Sequence, residues 1–291
     1  SSTMNGKFNT TLLTVMPNAV LAHQSTGFLN ITAVNVTINY GGSINVSRRG
    51  FAAASGPGKG TTGTTFSGAG GGGYGGAGGT GNVAGGTTYG SIITPVDIGS
   101  GGGNSNIGTG GAGGGTLFIN ASDTLYINGS IVANGGNGTG GSNDDAGGGS
   151  GGSIWLIAST FVGNGSINAS GGLSGQASSG TGRAGGGGGG RIAVYYTTST
   201  FNGLISAFGG NGNQQFGGAG TVFLKSDAQT YGDLLINNGG NSGNATNISI
   251  SRSFDSLNIS RNAVVEITGD GTSVTPSIFN VSSNGRLTVN N

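Results

Sequence analysis

The sequence predicts an all-β fold, namely an elongated parallel β-solenoid (β-helix-like) of stacked repeats with glycine-rich excursions. Three observations support this prediction. Apolar residues alternate with polar ones, which is the period of a strand. No segment shows a sustained helical period, and a unit of about 20 residues recurs between glycine-rich stretches. A recurring unit of this kind buries its apolar face only by stacking on its neighbours.

The recurring unit opens on a glycine and contains two apolar segments. The four clearest copies read GTLFINASDTLYINGSIVANG from Gly115, GSIWLIASTFVGNGSINASG from Gly152, GRIAVYYTTSTFNGLISAFG from Gly190 and GTVFLKSDAQTYGDLLINNG from Gly220. The first apolar segment is apolar on both faces, which predicts burial on both sides. In the second segment, the alignment predicts one buried column made of Ile131, Ile167, Ile205 and Leu235.

Weaker copies of the pattern extend the prediction along most of the chain. We expect N-terminal strands and an entry coil over 1–50, glycine-rich repeats over 51–240, and shorter β-coils over 241–291. These regions are predicted to form one continuous elongated domain. Since the chain begins at Ser1 without an initiator methionine, we expect it to be processed or to be part of a longer protein.

Glycine accounts for 70 of the 291 residues, and most of it lies in the stretches between the apolar units. Two interpretations are open. The stretches are either flexible loops, or extended polyglycine segments of polyproline II type that hydrogen-bond to one another as a layer. The layer is favoured, because it would cover the outer apolar row that contains Phe118, Trp155 and Phe223, which would otherwise promote aggregation.

The ordered series of glycine-rich fragments resembles a known kind of repeat region. The fragments are GGSINVSRRGFAAASGPGKG, GGGGYGGAGG, TTYGS, GSGGG, GGGSGGSIWLIAS and GGGGGGRIAVYY. This series is similar to glycine-rich repeat regions of large secreted or cell-surface proteins of microbes and protists, over roughly residues 40 to 240. The resemblance implies an extracellular or cell-surface repeat structure and carries no catalytic residues.

The charge and the reactive side chains argue against several functions. A net charge of +1 gives no basic face for nucleic acid, the absence of cysteine excludes disulfides and thiolate metal sites, and no stretch is apolar enough to span a membrane. His23 is the only histidine and Glu266 the only glutamate. We therefore predict no enzyme activity, no cofactor and no metal site. For the adjacent Asp144 and Asp145, weak calcium binding is an alternative to simple turn chemistry.

Asn-x-Ser/Thr sequons are more frequent than the asparagine, serine and threonine content would give by chance. They make this a candidate glycoprotein. The alternative is that asparagine serves turns and strand ends, which it also favours. The candidate glycosylation sites are Asn9, Asn30, Asn35, Asn45, Asn120, Asn128, Asn137, Asn164, Asn168, Asn244, Asn247, Asn258 and Asn280.

These features predict an extracellular structural glycoprotein, the repeat subunit of a surface fibril, appendage or coat that self-associates end to end. The last strand-like residues have no capping segment, which fits either a truncated longer solenoid or a chain that polymerises head to tail through its ends. The alternative is a binding protein, either a carbohydrate- or surface-binding adhesin or an ice-binding solenoid. The ice-binding alternative depends on a column formed by Thr124, Thr160, Thr200 and Thr230.

Overall fold

The computed structural model describes residues 6–23, 26–141, 143–176, 182–269 and 271–290. Over these residues the protein is all-β, without an α-helix. The strands are β1 (Gly6–Val15), β2 (Val20–Ala22), β3 (Phe28–Ile38), β4 (Ser43–Asn45), β5 (Thr116–Ile127), β6 (Ser130–Val132), β7 (Ser153–Gly163), β8 (Ser166–Asn168), β9 (Arg191–Phe201), β10 (Leu204–Ser206), β11 (Thr221–Ser226), β12 (Asp233–Asn237), β13 (Ala245–Ile248), β14 (Arg252–Ser260), β15 (Val264–Thr268), β16 (Val274–Val281) and β17 (Arg286–Asn290).

The strands form three sheets. The largest has nine strands in the order β1-β3-β5-β7-β9-β11-β12-β14-β16, the second has the order β10-β8-β6-β4-β2, and the third has the order β13-β15-β17. Alternation of side chains explains the register, because like residues of successive units lie over one another. Ile131 pairs with Ile167 in β6 and β8, and Ile167 pairs with Ile205 in β10.

The nine-stranded sheet changes direction once. Its first six strands are parallel and so are its last three, but β11 and β12 pair antiparallel, with Val222 opposite Leu235. The short loop 227–232 makes this reversal. Its last residue, Gly232, has φ +88°, and a Cβ there would lie 2.6 Å from the Phe223 ring. Glycine therefore permits the reversal both by its backbone conformation and by its lack of a side chain.

The reversal places two hydrophobic cores on opposite faces of the large sheet. Val222 and Leu235 pack with the core that lies against the five-stranded sheet. Their neighbours Phe223 and Leu234 point to the other face and pack with the core that contains Val265 of the three-stranded sheet. Residues directly opposite each other in a pair share a face, and successive residues alternate, so the two cores lie on different sides.

The predicted continuous parallel solenoid is therefore wrong. The chain forms large parallel and mixed sheets of nine, five and three strands, and the five- and three-stranded sheets are separate. The predicted column holds for the three isoleucines only, since Leu235 belongs to β12 of the nine-stranded sheet. The predicted threonine column also breaks, because Thr200 lies opposite Val162 and Thr230 lies outside the strands.

The glycine-rich stretches form a hydrogen-bonded bundle of extended segments. In segment 145–152, successive N–H groups donate in rotation to three neighbouring segments. The donor–acceptor pairs are Asp145–Gly182, Gly148–Gly185 and Gly151–Gly188 for the first neighbour, Ala146–Thr139, Gly149–Gly136 and Gly152–Ala133 for the second, and Gly147–Gly103 and Ser150–Ser100 for the third. A three-residue period is that of the polyproline II conformation, which leaves every backbone group free to bond sideways.

Carbonyl groups of the same segment accept from three further segments. The donors are Ala69 and Gly72, Gly111 and Gly114, and Gly172 and Gly175. Segment 145–152 is thus surrounded by six others, which makes a bundle and not a layer over the sheet. The outer aromatic row is covered elsewhere: Phe118 and Trp155 are half-buried, and Trp155 packs with the core that includes Ile92 and Ile93.

Glycine is needed in the bundle because of space. A Cβ on Gly147 would lie 1.9 Å from the Gly70 carbonyl oxygen, and one on Gly187 would lie 1.9 Å from that of Gly149. Neither residue has a positive φ. The close approach of backbones therefore selects glycine here, and not an unusual backbone conformation.

We predict that Gly147→Ala lowers the free energy of unfolding by about 3 kcal/mol or more, because the methyl group overlaps a backbone oxygen that cannot move alone. Gly240→Ala is the matched control. Gly240 has φ +97° and open space around its Cβ position, so this change should cost only the backbone strain of about 1–2 kcal/mol. Urea unfolding of both variants measures the difference. Equal losses would show that space in the bundle does not select glycine.

Candidate functional site

The glycine bundle is joined to the large sheet by a buried polar cluster around Tyr74. The side chain of Tyr74 is fully buried, and its hydroxyl lies 2.6 Å from Ser153 Oγ at the start of β7. The ring of Tyr89 lies against it, with 4.7 Å between the ring centroids. Tyr74 is thus a large side chain in a stretch that otherwise consists of glycine and alanine.

Arg191, the first residue of β9, completes the cluster. Its side chain is almost fully buried, its Nε donates to the Tyr89 carbonyl at 2.9 Å, and its Nη1 donates to Thr221 Oγ1 at 3.2 Å. The guanidinium carbon lies 5.5 Å from the centroid of the Tyr74 ring, which is within cation–π range. These contacts fix the position of the bundle on the ends of β7, β9 and β11.

Burial controls the ionisation of this cluster. Desolvation raises the pKa of Tyr74 to about 12, although the nearby Arg191 opposes the shift. Desolvation also raises the pKa of Tyr89 and lowers that of Arg191. The cluster is enclosed by the bundle and the sheet, so we assign it a structural role at their junction.

This cluster is not predicted by the sequence patterns, because Tyr74 and Arg191 are far apart in the chain. A signal was nevertheless present. Tyr74 is a lone aromatic residue within a glycine stretch, and Arg191 follows directly on six glycines. A large residue in a segment that otherwise excludes side chains marks a place where the bundle meets another element.

The candidate glycosylation sites differ in accessibility. Four lie at exposed positions, namely Asn9, Asn137, Asn164 and Asn280, and the other nine are half-buried. The nine half-buried sites are Asn30, Asn35, Asn45, Asn120, Asn128, Asn168, Asn244, Asn247 and Asn258.

Several half-buried asparagines have structural hydrogen bonds. Nδ2 of Asn244 donates to the Gly78 carbonyl at 2.7 Å, and Oδ1 of Asn168 accepts from the Ser170 N–H at 2.9 Å. Nδ2 of Asn128 donates to the Tyr126 hydroxyl. A glycan requires the amide nitrogen to be free, so the Nδ2 bonds of Asn244 and Asn128 favour the turn and strand-end interpretation for these two residues. The bond of Asn168 uses Oδ1 and not its amide nitrogen.

Chemical groups that could support catalysis or metal binding are not gathered at one place. Over the described residues, no three His, Asp, Glu or Cys side chains come close enough to hold a metal ion. Asp144 and Asp145 are both buried, in segments that pair with Gly182 and Gly140 respectively. Because they follow each other in an extended segment, their side chains point to different neighbours.

Among the described residues, no further strand pairs with β1 or with β16, so the two ends of the stack present strand edges. β1 ends the nine-stranded sheet on one side and β16 ends it on the other, while β2 and β17 end the smaller sheets at the same two places. Apolar side chains are exposed at both ends. They are Phe8, Leu12 and Val20 at the first end, and Ile278, Phe279, Val281 and Val289 at the second.

We predict that the stability of the protein falls as the pH rises above 10. The folded state holds the pKa of Tyr74 at about 12, above the unfolded value of 10.0, so its contribution is complete below pH 10 and is lost as the pH approaches 12. The titration of Tyr74 alone should lower the free energy of unfolding by about 3 kcal/mol between pH 10 and pH 12. Urea unfolding between pH 7 and 12 tests this against Tyr74→Phe, which should show a smaller loss. An equal loss in both proteins would contradict the prediction.

We predict that Asn164 carries N-linked sugar and that Asn128, its counterpart in the preceding unit, is the weaker candidate of the two. The two residues occupy equivalent turns, after β7 and β5, and Asn164 is exposed, whereas a glycan on Asn128 requires its bond to Tyr126 to break. Intact mass of the native protein, before and after glycosidase digestion, should fall on digestion. Asn164→Gln should remove the mass of one glycan, and an unchanged mass on digestion would exclude N-glycans.

No family model, curated protein or solved structure matches this chain. None of the described residues forms a helix that is long and apolar enough to cross a membrane.

Proposed function

We propose that the chain is a structural subunit of an extracellular assembly, a glycoprotein that joins other copies end to end in a fibril, appendage or coat. The observation that carries the proposal is the pair of open edges with exposed apolar side chains. Phe8 of β1 lies over the buried Ile31 and is itself 47% exposed, and Phe279 of β16 lies over the buried Leu257 and is 46% exposed. An open strand edge presents unpaired N–H and C=O groups that can pair with another strand.

A second copy fits these edges because the two ends are built alike. Each end consists of a long strand, a four-residue turn and a short strand: β1, 16–19 and β2 at the first end, and β16, 282–285 and β17 at the second. Both turns close with the same backbone bond, from Ala19 N–H to Met16 C=O at 3.0 Å and from Gly285 N–H to Ser282 C=O at 2.9 Å. Two strands of one copy can therefore pair with two strands of the next.

The reversal at β11 and β12 fixes how the copies must be oriented. β16 runs opposite to β1, and the small sheet at its end lies on the opposite face of the large sheet. The copies would follow one another along the direction in which the strands are stacked. Rotating the next copy by about half a turn around that direction reverses both its strand direction and its faces. β1 then runs parallel to β16 of the preceding copy, and β2 meets β17 on the same face. Parallel pairing is the rule elsewhere in each half of the sheet.

The extracellular location is supported by the exposed sequons at Asn137 and Asn164, whereas Asn9 and Asn280 lie on the edge strands β1 and β16, where the proposed pairing requires them to be unmodified. Glycans on residues such as Asn137 and Asn164 would lie on the flanks, outside both open ends. The glycine bundle supplies a rigid body between the ends, because its backbone groups bond sideways in several directions.

We predict that Phe8→Lys and Phe279→Lys each abolish end-to-end assembly, because a buried, unpaired ammonium group at the junction opposes strand pairing. Val96→Lys is the matched control. Val96 is 52% exposed and lies away from both edges, so assembly should be retained. Electron microscopy and light scattering measure assembly, and thermal unfolding confirms that each variant folds.

Filaments in which successive copies alternate by about half a turn would agree with the proposal. Three outcomes would contradict it: filaments that persist in both edge variants, filaments in which all copies have the same orientation, and native material that contains only single copies.

A further inference from the structure

A groove of about 630 Å³ opens on the large sheet where the chain reverses direction. Its walls come from β9, β11, the loop 227–232, β14 and the segment that leads into β16. Its volume falls within the range of about 300–1,000 Å³ that is usual for small-molecule sites. The groove lies away from the polar cluster around Tyr74, and one of its walls, formed by Ser273 and Thr275, belongs to the edge at β16.

The groove carries positive charge. Its lining includes Lys225 and Arg252 and contains no carboxylate. Lys225 is held by the carbonyls of Gln229 and Thr230, at 3.0 and 2.5 Å from its Nζ. The aspartates of the adjacent strands are engaged elsewhere: Asp255 accepts from the Tyr231 and Gly232 N–H groups, and Asp233 accepts from Ser256 and Gln229.

Among the residues of the groove, Arg252 gives the clearest indication of the kind of ligand that would bind. Its Nε is buried and has no hydrogen-bond partner. A buried donor without a partner costs about 1–3 kcal/mol, and more when the group is charged. Because this atom is enclosed by the protein, a ligand in the groove would contact the terminal Nη groups of the half-buried side chain and not Nε. The guanidinium group is suited to a carboxylate or a sulfate, which it can bind through two parallel hydrogen bonds.

The remaining lining combines hydroxyl groups with aromatic rings. The hydroxyl-bearing residues are Thr230, Ser251, Ser253, Ser273 and Thr275. Each hydroxyl both donates and accepts, so the set matches a ligand that is itself rich in hydroxyls. The aromatic residues are Tyr195, Phe223 and Tyr231, and Tyr231 is 50% exposed. Such rings offer flat apolar surface to the C–H face of a sugar ring.

We infer that this groove binds an acidic saccharide, with its carboxylate or sulfate on Arg252 and a sugar ring against Tyr231. A free inorganic anion would use the guanidinium but neither the aromatic rings nor the row of hydroxyls. A neutral saccharide would leave the positive charge unpaired. The inference does not depend on end-to-end assembly.

Calorimetry with a tetrasaccharide of galacturonic acid tests the inference on the intact protein. We expect saturable binding that weakens as sodium chloride is added, because an ion pair at the surface is screened by salt. A neutral tetrasaccharide of glucose and inorganic sulfate, each at the same concentration, should bind much more weakly. A sulfated tetrasaccharide distinguishes the two anions by comparison with the uronate.

Arg252→Gln should raise the Kd for the tetragalacturonate about tenfold or more, since a charge-assisted hydrogen bond is lost. Arg261→Gln removes the same charge from an exposed turn outside the groove and should leave the Kd unchanged. Tyr231→Ala should weaken binding and Tyr231→Phe should retain most of it, because the ring face makes the contact. The thermal midpoint of Arg252→Gln should not fall, because a buried donor without a partner is removed.

Three outcomes would overturn the inference. The first is the absence of saturable binding by both acidic tetrasaccharides. The second is equal binding of the neutral tetrasaccharide, which would show that charge is not recognised. The third is a Kd that is unchanged in Arg252→Gln, or changed equally in Arg261→Gln.

Discussion

The structure depends on backbone hydrogen bonds between extended segments that have no side chains. In the glycine bundle a carbonyl oxygen of one segment occupies the place that a Cβ would take in the next, as Gly70 does for Gly147. This allows the segments to lie close enough to bond in several directions at once, with a period of three residues. The bundle needs few apolar side chains in its interior, which explains how a chain with so much glycine can form a folded body.

The bundle and the sheets differ in how they satisfy their backbone hydrogen bonds and fill their interiors. In the sheets, backbone groups bond to two neighbours and the apolar side chains fill the space between layers, as Ile131, Ile167 and Ile205 do. In the bundle, backbone groups bond all around and no space is left for side chains. The two arrangements meet at Tyr74 and Arg191, where large polar side chains reappear and bond to the first residues of the strands.

The reversal between β11 and β12 has consequences at both ends of the molecule. It places the five- and three-stranded sheets on opposite faces, so the two open ends are related by about half a turn and not by simple translation. It also contributes Thr230 and Tyr231 to the lining of the groove beside Arg252. One short loop thus sets the relative orientation of the two ends and forms part of the groove in which we infer ligand binding.

The sequence by itself determined the all-β character, the alternation of buried side chains and the parallel register of the repeated units, because these follow from local periodicity. The direction of β12 was decided by tertiary structure, since Leu235 has the same local pattern whether it pairs with β10 or with β11. In the fourth unit the glycine before the second apolar segment, Gly232, comes one residue earlier than in the second and third units. This shift is the local sign of the reversal. The neighbours of each glycine segment were likewise not predictable, because segments without side chains are chemically equivalent and only the packed chain distinguishes them.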